Sequence, residues 1–486
     1  MNVNLHSFLT FERMALLTVL SLSMAACAPV MEHLPSFKKA DDYAVAQSVK
    51  NVTPVSWPAA DWWVVYQDEQ LNALMREAMD GAPDLAIANA RLKQANARAE
   101  QAGAVLAPQL ALNASYTSMR QSANNGAPAG AIPDGWNDSA RGTLDFSYEI
   151  DFWGKNRASV AAALSEAEAA KAEAAQARVV LTTSLAEAYA DLAQNYADKE
   201  AAEAALKVRS KTASLFAQRE ASGLENIGSV RQARALEANA KAEVAAYNEA
   251  IGLTRNRIAA LLGKGPDRGL EIAEPKRDVQ RSLGVPENLS LDLLARRADV
   301  QAARLRAEGA AARIKVAKAG FYPNVNVTAY LGQQVLGLQY LGKGDSTIGG
   351  VGPAISLPIF GRDALKGQYK LAGATYEEAV ASYDATLTHA YQEVADVVVS
   401  RQQLGERLAF GQQAVDDAEK AWVTMRQRYG AGLSNYLDVL SAEDILIQNR
   451  KALAGLEARA FKLDIQLMKA LGGGYTFDAN MTEHKE

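Results

Sequence analysis

Residues 84–116 read DLAIANARLKQANARAEQAGAVLAPQLALNASY, and residues 299–331 read DVQAARLRAEGAAARIKVAKAGFYPNVNVTAYL. The two stretches align without a gap. Asp84 meets Asp299, Arg91 meets Arg306, Arg98 meets Arg313 and Pro108 meets Pro323. Each starts with alanine-rich helical spacing and, past its proline, changes to alternation. Working outward, EIDFWGKNRA (149–158) answers SLPIFGRDAL (356–365), QREASGLEN (218–226) answers QRYGAGLSN (427–435), and RIAALLGKG (257–265) answers QLMKALGGG (466–474). Four matches in the same order point to an internal tandem duplication. The stretch 264–287, with Pro266, Pro275 and Pro286, reads as its connector.

Within each half the period switches. Residues 68–104, 153–221 and 228–262 are helical in pattern, as are 288–320, 362–429 and 436–471. Four short stretches alternate instead. In TLDFSYEIDF (143–152), Leu144, Phe146, Tyr148, Ile150 and Phe152 face one way, and Thr143, Asp145, Ser147, Glu149 and Asp151 the other. Leu110, Leu112, Ala114 and Tyr116 alternate likewise, as do Val325, Val327, Ala329 and Leu331, and then Ile355, Leu357 and Ile359. Strands of about ten residues can cross a bilayer when tilted. Four cannot close a barrel, and an open edge cannot face lipid, where each unpaired N–H or C=O costs several kcal/mol. Strands from several subunits must then share one barrel. Its polar face lines water, and Asp145, Glu149 and Asp151 are expected to make that lumen acidic.

A helix over residues 153–221 would be roughly 100 Å long at 1.5 Å per residue. Its alanine-rich surface lacks a heptad leucine seam, which favours a hollow ring of helices over a solid coiled coil. Both long helical stretches break at the same Gly-Leu-x-Asn turn, GLEN (223–226) and GLSN (432–435).

The chain of 486 residues carries a net charge of −5, and composition shows no nucleic-acid footprint. The apolar run MALLTVLSLSMAAC (14–27), with Arg13 before it, reads as a secretory signal. It closes on Cys27, the only cysteine, so there is no disulfide framework. Met24-Ala25-Ala26-Cys27 resembles a bacterial lipobox with Met in place of the usual Leu, which would make Cys27 the lipidated first residue of the mature chain. The residue after it is Ala28, not the Asp that marks retention at the inner membrane in such lipoproteins. His6, His33, His389 and His484 form no ligand-spaced pair, and no nucleophile elbow or phosphate loop is present. Neither an enzyme, a cofactor nor a metal site is expected.

The order lipobox, PDLAIANARLKQANA, YEIDFWGKNRA, AGFYPNVNVTAYLG, ISLPIFGRDAL, RYGAGLSNYLDVLSAE and KALGGGY resembles the TolC-like outer-membrane efflux proteins. It is most similar to their lipoprotein branch (NodT or OprM type), which serves resistance-nodulation-division pumps. The resemblance covers about residues 57–475 and implies a mostly α homotrimer, with a 12-stranded outer-membrane β-barrel continuous with a 12-helix periplasmic α-barrel. It further implies an exit duct for multidrug efflux, working with a periplasmic adaptor protein and an inner-membrane pump. Gly223, Leu224, Gly432 and Leu433 match the tips that dock the adaptor. Leu437 and Asp438 fall where the family closes its periplasmic gate. Ser441 stands where a second Asp is common, and Tyr429 matches a tyrosine of the closed state. That tyrosine's usual arginine partner is Ser434 here, which puts that particular contact in doubt.

The expected organisation is a signal peptide 1–26, a lipidated arm 27–67 and a first repeat 68–263 with strands 107–118 and 142–152 and tip turn 221–228. The connector 264–287 follows, then a second repeat 288–474 with strands 323–333 and 350–360 and tip turn 430–436, and a tail 475–486. Two other readings compete: a duct for type I protein secretion and a non-transport periplasmic scaffold.

Overall fold

The computed structural model describes residues 31, 33–38, 42–43, 47–48, 56–122, 134–276, 286, 293, 295–358 and 360–476. Helices α1 (Glu69–Gly81) and α2 (Pro83–Gly103) lead into strands β1 (Gln109–Met119) and β2 (Asn137–Ile150). Then come the long helix α3 (Lys155–Ala221) and α4 (Ile227–Leu261). The second half repeats the order with α5 (Ala298–Ala319), β3 (Asn324–Leu336), β4 (Thr347–Ser356), α6 (Arg362–Gly430) and α7 (Tyr436–Ala470). No helix among the described residues is long and apolar enough to cross a membrane.

The helical stretch expected over 68–104 is two helices. Ala82 precedes Pro83 and sits extended at φ −66, ψ 124, because the proline ring clashes with a helical conformation in the residue before it. The strands also differ from their expected limits. β2 starts at Asn137 rather than 142 and ends at Ile150, and β4 covers Thr347–Ser356 rather than 350–360. Polar Asn137, Asp138 and Ser139 hide the start of β2, since they pair with Met119, Ser118 and Thr117 through the backbone ladder. Ile359 lies outside the described residues.

The chain forms two compact units. The first contains residues 93–169 and 303–382 and holds the sheet, a meander in the order β1-β2-β3-β4, all antiparallel. Register sets Leu110, Phe146, Ala329 and Val351 in one row, and Leu112, Leu144 and Leu331 in the next. These apolar residues share a face, and it is open: Leu112 is 77% exposed and Val351 80%. The helical part of this unit packs through small residues. Gly309 lies so close to α3 that an added Cβ would sit 3.4 Å from the Ala162 carbonyl oxygen. The Ser165 hydroxyl donates to the Leu305 carbonyl at 2.7 Å, and Arg313 pairs with Glu166 at 3.0 Å.

The second unit contains residues 38–92, 170–302 and 383–486. Its core joins Trp62, Trp63 and Tyr66 to Leu71, Leu74 and Met75 of α1 and to Leu185, Tyr189 and Leu192 of α3. Each fully buried leucine there contributes about 1.5–3 kcal/mol. Two buried acids serve as junctions. Asp68 caps α1 through the Leu71 N–H and accepts from the Tyr189 hydroxyl at 2.7 Å, while Asp464 accepts from Tyr66 at 2.6 Å. Gly263, at φ 70, has no room for a side chain, since a Cβ would lie 2.4 Å from the Gly81 carbonyl oxygen.

Candidate functional site

Both breaks in the long helices are built the same way. At the end of α3, Gly223 adopts φ 71, the Leu224 N–H donates to the Arg219 carbonyl and the Gly223 N–H to the Glu220 carbonyl. At the end of α6, Gly432 adopts φ 76, the Leu433 N–H donates to Arg428 and the Gly432 N–H to Tyr429. This 6→1 and 5→2 pair is the Schellman C-cap, in which glycine takes the left-handed position. Two residues after each leucine an asparagine starts the next helix. Asn226 accepts from the Ser229 N–H at 3.0 Å, and Asn435 from the Asp438 N–H at 3.0 Å. Gly-Leu-x-Asn therefore spells a helix stop and a helix start. In a Schellman motif the residue after the glycine often packs back on the last turn. Here the positions it would cover are Gln218–Arg219 and Gln427–Arg428, and Leu224 and Leu433 remain 66% and 68% exposed.

The expected gate residues share one stripe of α7. Leu437, Asp438 and Ser441 are all exposed, at i, i+1 and i+4, while Val439, Leu440, Ala442 and Glu443 on the other side are buried. The stripe lies outside the buried side of α7. It borders a groove of about 400 Å³ whose lining includes Met425, Leu433, Ser434, Asp438, Ser441 and Ile445. The Ser434 hydroxyl lies 3.3 Å from an Asp438 carboxylate oxygen.

Tyr429 does have an arginine partner. Ser434 cannot supply one, but Arg219, in the last turn of α3, lies over the Tyr429 ring at 5.3 Å. Tyr429 meets Tyr436 edge-on at 5.4 Å, and Tyr436 packs on buried Phe216 at 3.9 Å. Burial pushes the Tyr436 hydroxyl up to about 12. Deeper along α7, Glu443 is 2% exposed and meets Arg209 of α3 at 2.8 Å. Asp444 pairs with the same guanidinium. Burial raises the Glu443 carboxyl, against the opposing pull of Arg209. Sequence reading missed this cluster. Arg209 and Glu443 are ordinary helix-surface types in the sequence, and only the packing of α7 on α3 buries them.

The strand acids are partnered locally. Asp145 accepts from Asn113 at 2.6 Å and from Thr143 at 2.9 Å, and Glu149 pairs with Lys155 at 3.3 Å. Asp151 is not a strand residue: β2 ends at Ile150, and Asp151 caps the start of α3 by accepting from the Asn156 and Arg157 N–H groups. On the face of Asp145, Arg141 lies over the Tyr330 ring at 5.7 Å. On that face the acidic residues expected from the sequence therefore stand beside a base, Arg141.

Cys27, the signal segment, His6 and His484 lie outside the described residues. Among the described residues no group of His, Cys, Asp or Glu could hold a metal ion.

The family model for outer membrane efflux proteins matches residues 74–264 and 289–473. Fusaric acid resistance protein FusA of Burkholderia cepacia is 34% identical over 363 residues, 73% of this chain and 68% of that protein. Multidrug resistance outer membrane protein MdtQ of Escherichia coli O6:H1 is 30% identical over 475 residues, 94% of this chain and 97% of that protein. The crystal structure of the outer membrane protein VceC from Vibrio cholerae is 48% identical with a TM-score of 0.80, covering 86% of this chain and 100% of that one.

Proposed function

The chain belongs to the outer membrane efflux protein family, a family of transport channels and not of enzymes, and from that premise we propose how it builds its duct. Three copies close one barrel. Each contributes four strands, β1 to β4, and three such sheets make twelve. Beneath it, α3, α4, α6 and α7 of each copy form a twelve-helix tunnel through the periplasm. The observation that carries this reading is the sheet, whose apolar face is exposed and whose outer strands β1 and β4 have, among the described residues, no partner on one side. In hydrocarbon those edges must be paired, and another copy offers the complementary edge. Matching element order and the two family-model matches, one in each half, support a tandem duplication in which each half supplies one helical hairpin.

At the hairpin tips, Leu224 and Leu433 dock the α-hairpins of a periplasmic adaptor, which couples the duct to a resistance-nodulation-division pump in the inner membrane. Leu437 and Asp438, with Ser441 beside them, converge from three copies and close the resting tunnel. Cys27 carries a lipid that anchors the arm to the outer membrane. The exported compounds are small molecules, passed on passively once adaptor and pump open the gate.

Mass measurement of the detergent-solubilised protein should give three chains, and planar-bilayer recordings should show a pore. A monomer with a closed barrel would overturn the assembly. A trimer without conductance would favour a scaffold.

A further inference from the structure

All four strands meet helices at the same end of the sheet: β1 follows α2, β3 follows α5, α3 follows β2 and α6 follows β4. The opposite end carries the β3–β4 connection, residues 337–346, and its hydrogen bonds fix its direction. Leu331, Gln333 and Val335 alternate onto the apolar face, in rows with Leu144, Gly142 and Ala140. The Gln333 amide oxygen accepts from the Gly342 N–H at 2.7 Å, and its amide nitrogen lies 3.4 Å from the Lys343 carbonyl oxygen. Gly337, at φ 96, donates to the Asp138 carbonyl at 2.6 Å, and the helical turn Leu338–Tyr340 then touches both β2 and β3. Val335 is 4% exposed, against 63% for Leu331 further down the same face. The connection therefore folds back onto the apolar face and not over the polar one.

In an outer membrane protein such a face meets lipid, and aromatic side chains mark both of its ends. Next to the helices stand exposed Phe152 and Phe360, and Trp153, whose indole N–H donates to the Pro323 carbonyl at 2.8 Å. At the far end stand exposed Trp136, and Tyr116, which shares a row with Ala140 and Val335 and donates to the Asp138 carboxylate at 2.9 Å. Tryptophan and tyrosine gather at headgroup level, which puts the connection in the outer headgroup layer. It exposes Leu338, Tyr340 and Leu341, and the Lys343 Nζ lies 4.8 Å from the centre of the Tyr340 ring. A lysine stem across a ring, beside leucines, is apolar in its body and charged at its tip. Arg120, exposed just past β1, follows Tyr116 and Ser118 on this face by alternation. In a closed barrel β1 borders β4 of the next copy, so Arg120 flanks that copy's connection. The acids here are Asp138, engaged by Tyr116, and exposed Asp345. Bases on an apolar body suit a lipid with phosphates in its headgroup, and an acid among them meets those phosphates through a divalent ion.

We propose that the β3–β4 connection is a docking surface for the phosphorylated glycolipid of the outer leaflet, lipopolysaccharide: Leu338, Tyr340 and Leu341 pack against its apolar part, and Lys343 meets a phosphate. The connection then sits outside the barrel wall and leaves the lumen open. Its facing the outer leaflet rests on the reading above that puts the helices in the periplasm; its folding onto the apolar face does not.

The test uses the full-length protein. Native mass spectrometry in detergent with magnesium counts lipid A held by it, with both phosphates present or removed, and with phosphatidylglycerol or inorganic phosphate as competitor. The wild type should hold the bisphosphorylated form in preference to the others. Lys343→Glu should weaken that binding at least about fivefold, the contribution of one cation at an anionic lipid surface, and Lys343→Arg should keep it. Equal retention of dephosphorylated lipid A or of phosphatidylglycerol overturns the proposal, as does wild-type binding by Lys343→Glu. Displacement by inorganic phosphate would make this a free-anion site and overturns it too. A nitroxide attached through Leu341→Cys, corrected for the protein without that change, reports the surroundings of the connection in vesicles. It should collide with oxygen and be shielded from a water-soluble nickel chelate, and free access of the chelate, as in a lumen or an open loop, overturns the proposal. A protein that gives neither three chains nor a pore fails the assembly reading instead, and the nitroxide still decides whether the connection lies against lipid.

Discussion

The two tip turns share a backbone and differ in what stands on it. Gly223 and Gly432 hold the same positive φ, the same two capping hydrogen bonds and the same asparagine start. The next positions are buried alike: Val230 answers Val439, and Ala233 answers Ala442. The exposed positions diverge. Where the first tip has Gly228, Ser229 and Gln232, the second has Leu437, Asp438 and Ser441. Where the first has Arg234, the second has the buried Glu443 that meets Arg209. One fold element has therefore been furnished twice. At the first two of these positions the first hairpin is small, with Gly228 and Ser229, and the second carries bulk and charge, with Leu437 and Asp438. On the proposed reading closure belongs to the second hairpin, and the first hairpin packs against it through Arg209 and Arg219.

Exchanging the furniture tests that division and should have the largest effect. Leu437→Gly with Asp438→Ser gives the second tip the first two stripe residues of the first. An apolar constriction and an acidic ring both vanish, so single-channel conductance should rise, cation preference should weaken and large antibiotics should enter. The reciprocal Gly228→Leu with Ser229→Asp should change conductance far less, because the proposed constriction lies on the second hairpin. Equal effects from the two exchanges would erase the distinction between the hairpins.

The leucine knobs come next. Glutamate at Leu224 and Leu433 together places charges where an adaptor hairpin is to pack, and burying an unpaired charge is costly. Pump-dependent resistance should fall at constant trimer level. Singly, Leu433→Glu should do more than Leu224→Glu, since Leu433 also borders the groove beside the gate. Resistance that stays at the wild-type level in the double variant would remove both leucines from docking.

A smaller effect should be shared equally. An added Cβ meets nothing within 4 Å at Gly223 or at Gly432, so Gly→Ala there costs only the left-handed backbone, about 1–2 kcal/mol. Thermal unfolding of Gly223→Ala and Gly432→Ala should give similar losses. Gly263→Ala should cost more, because its Cβ would collide with the Gly81 carbonyl. A large difference between the two tips would mean their backbones are not equivalent in the assembled protein.

These contrasts also separate what the sequence makes legible from what it hides. Alternation in Leu144, Phe146, Tyr148 and Ile150 places them on one face, and the register keeps them there. The repeated Gly-Leu-x-Asn marks two turns, because glycine at positive φ and asparagine at a helix start are local requirements. Local rules fail where the partner is distant. Asp145 reads as a free lumen acid until Asn113 is brought across the sheet. Asp151 continues the alternation of β2 yet caps α3, because chain direction changes at Ile150. Arg219 is separated from Tyr429 by more than two hundred positions, and no periodicity links them. The break at Ala82 was legible through Pro83 and is hidden only by the helical composition on both sides.

The smallest effect concerns pH and returns to the contrast between exposed Arg234 and buried Glu443. Burial holds the Glu443 carboxyl above its ordinary 4.5, with Arg209 opposing that shift and Asp444 reinforcing it. A carboxyl whose folded value is raised binds its proton more tightly in the folded state than in the unfolded one. Its contribution is therefore fully present below the unfolded value and is lost as pH rises through the folded value. Glu443→Gln removes that proton equilibrium and keeps the shape. The difference in thermal stability between the wild type and Glu443→Gln should fall as pH rises from the ordinary carboxyl value toward the raised one, and flatten above it. Asp444 remains in both proteins and still pairs with Arg209, so the change should be modest. A difference that instead grows with pH across that window would mean that Arg209 outweighs burial. Arg209 and Glu443 would then be a strong ion pair in their own right, holding α7 on α3 by charge more firmly than the buried position of Glu443 suggests.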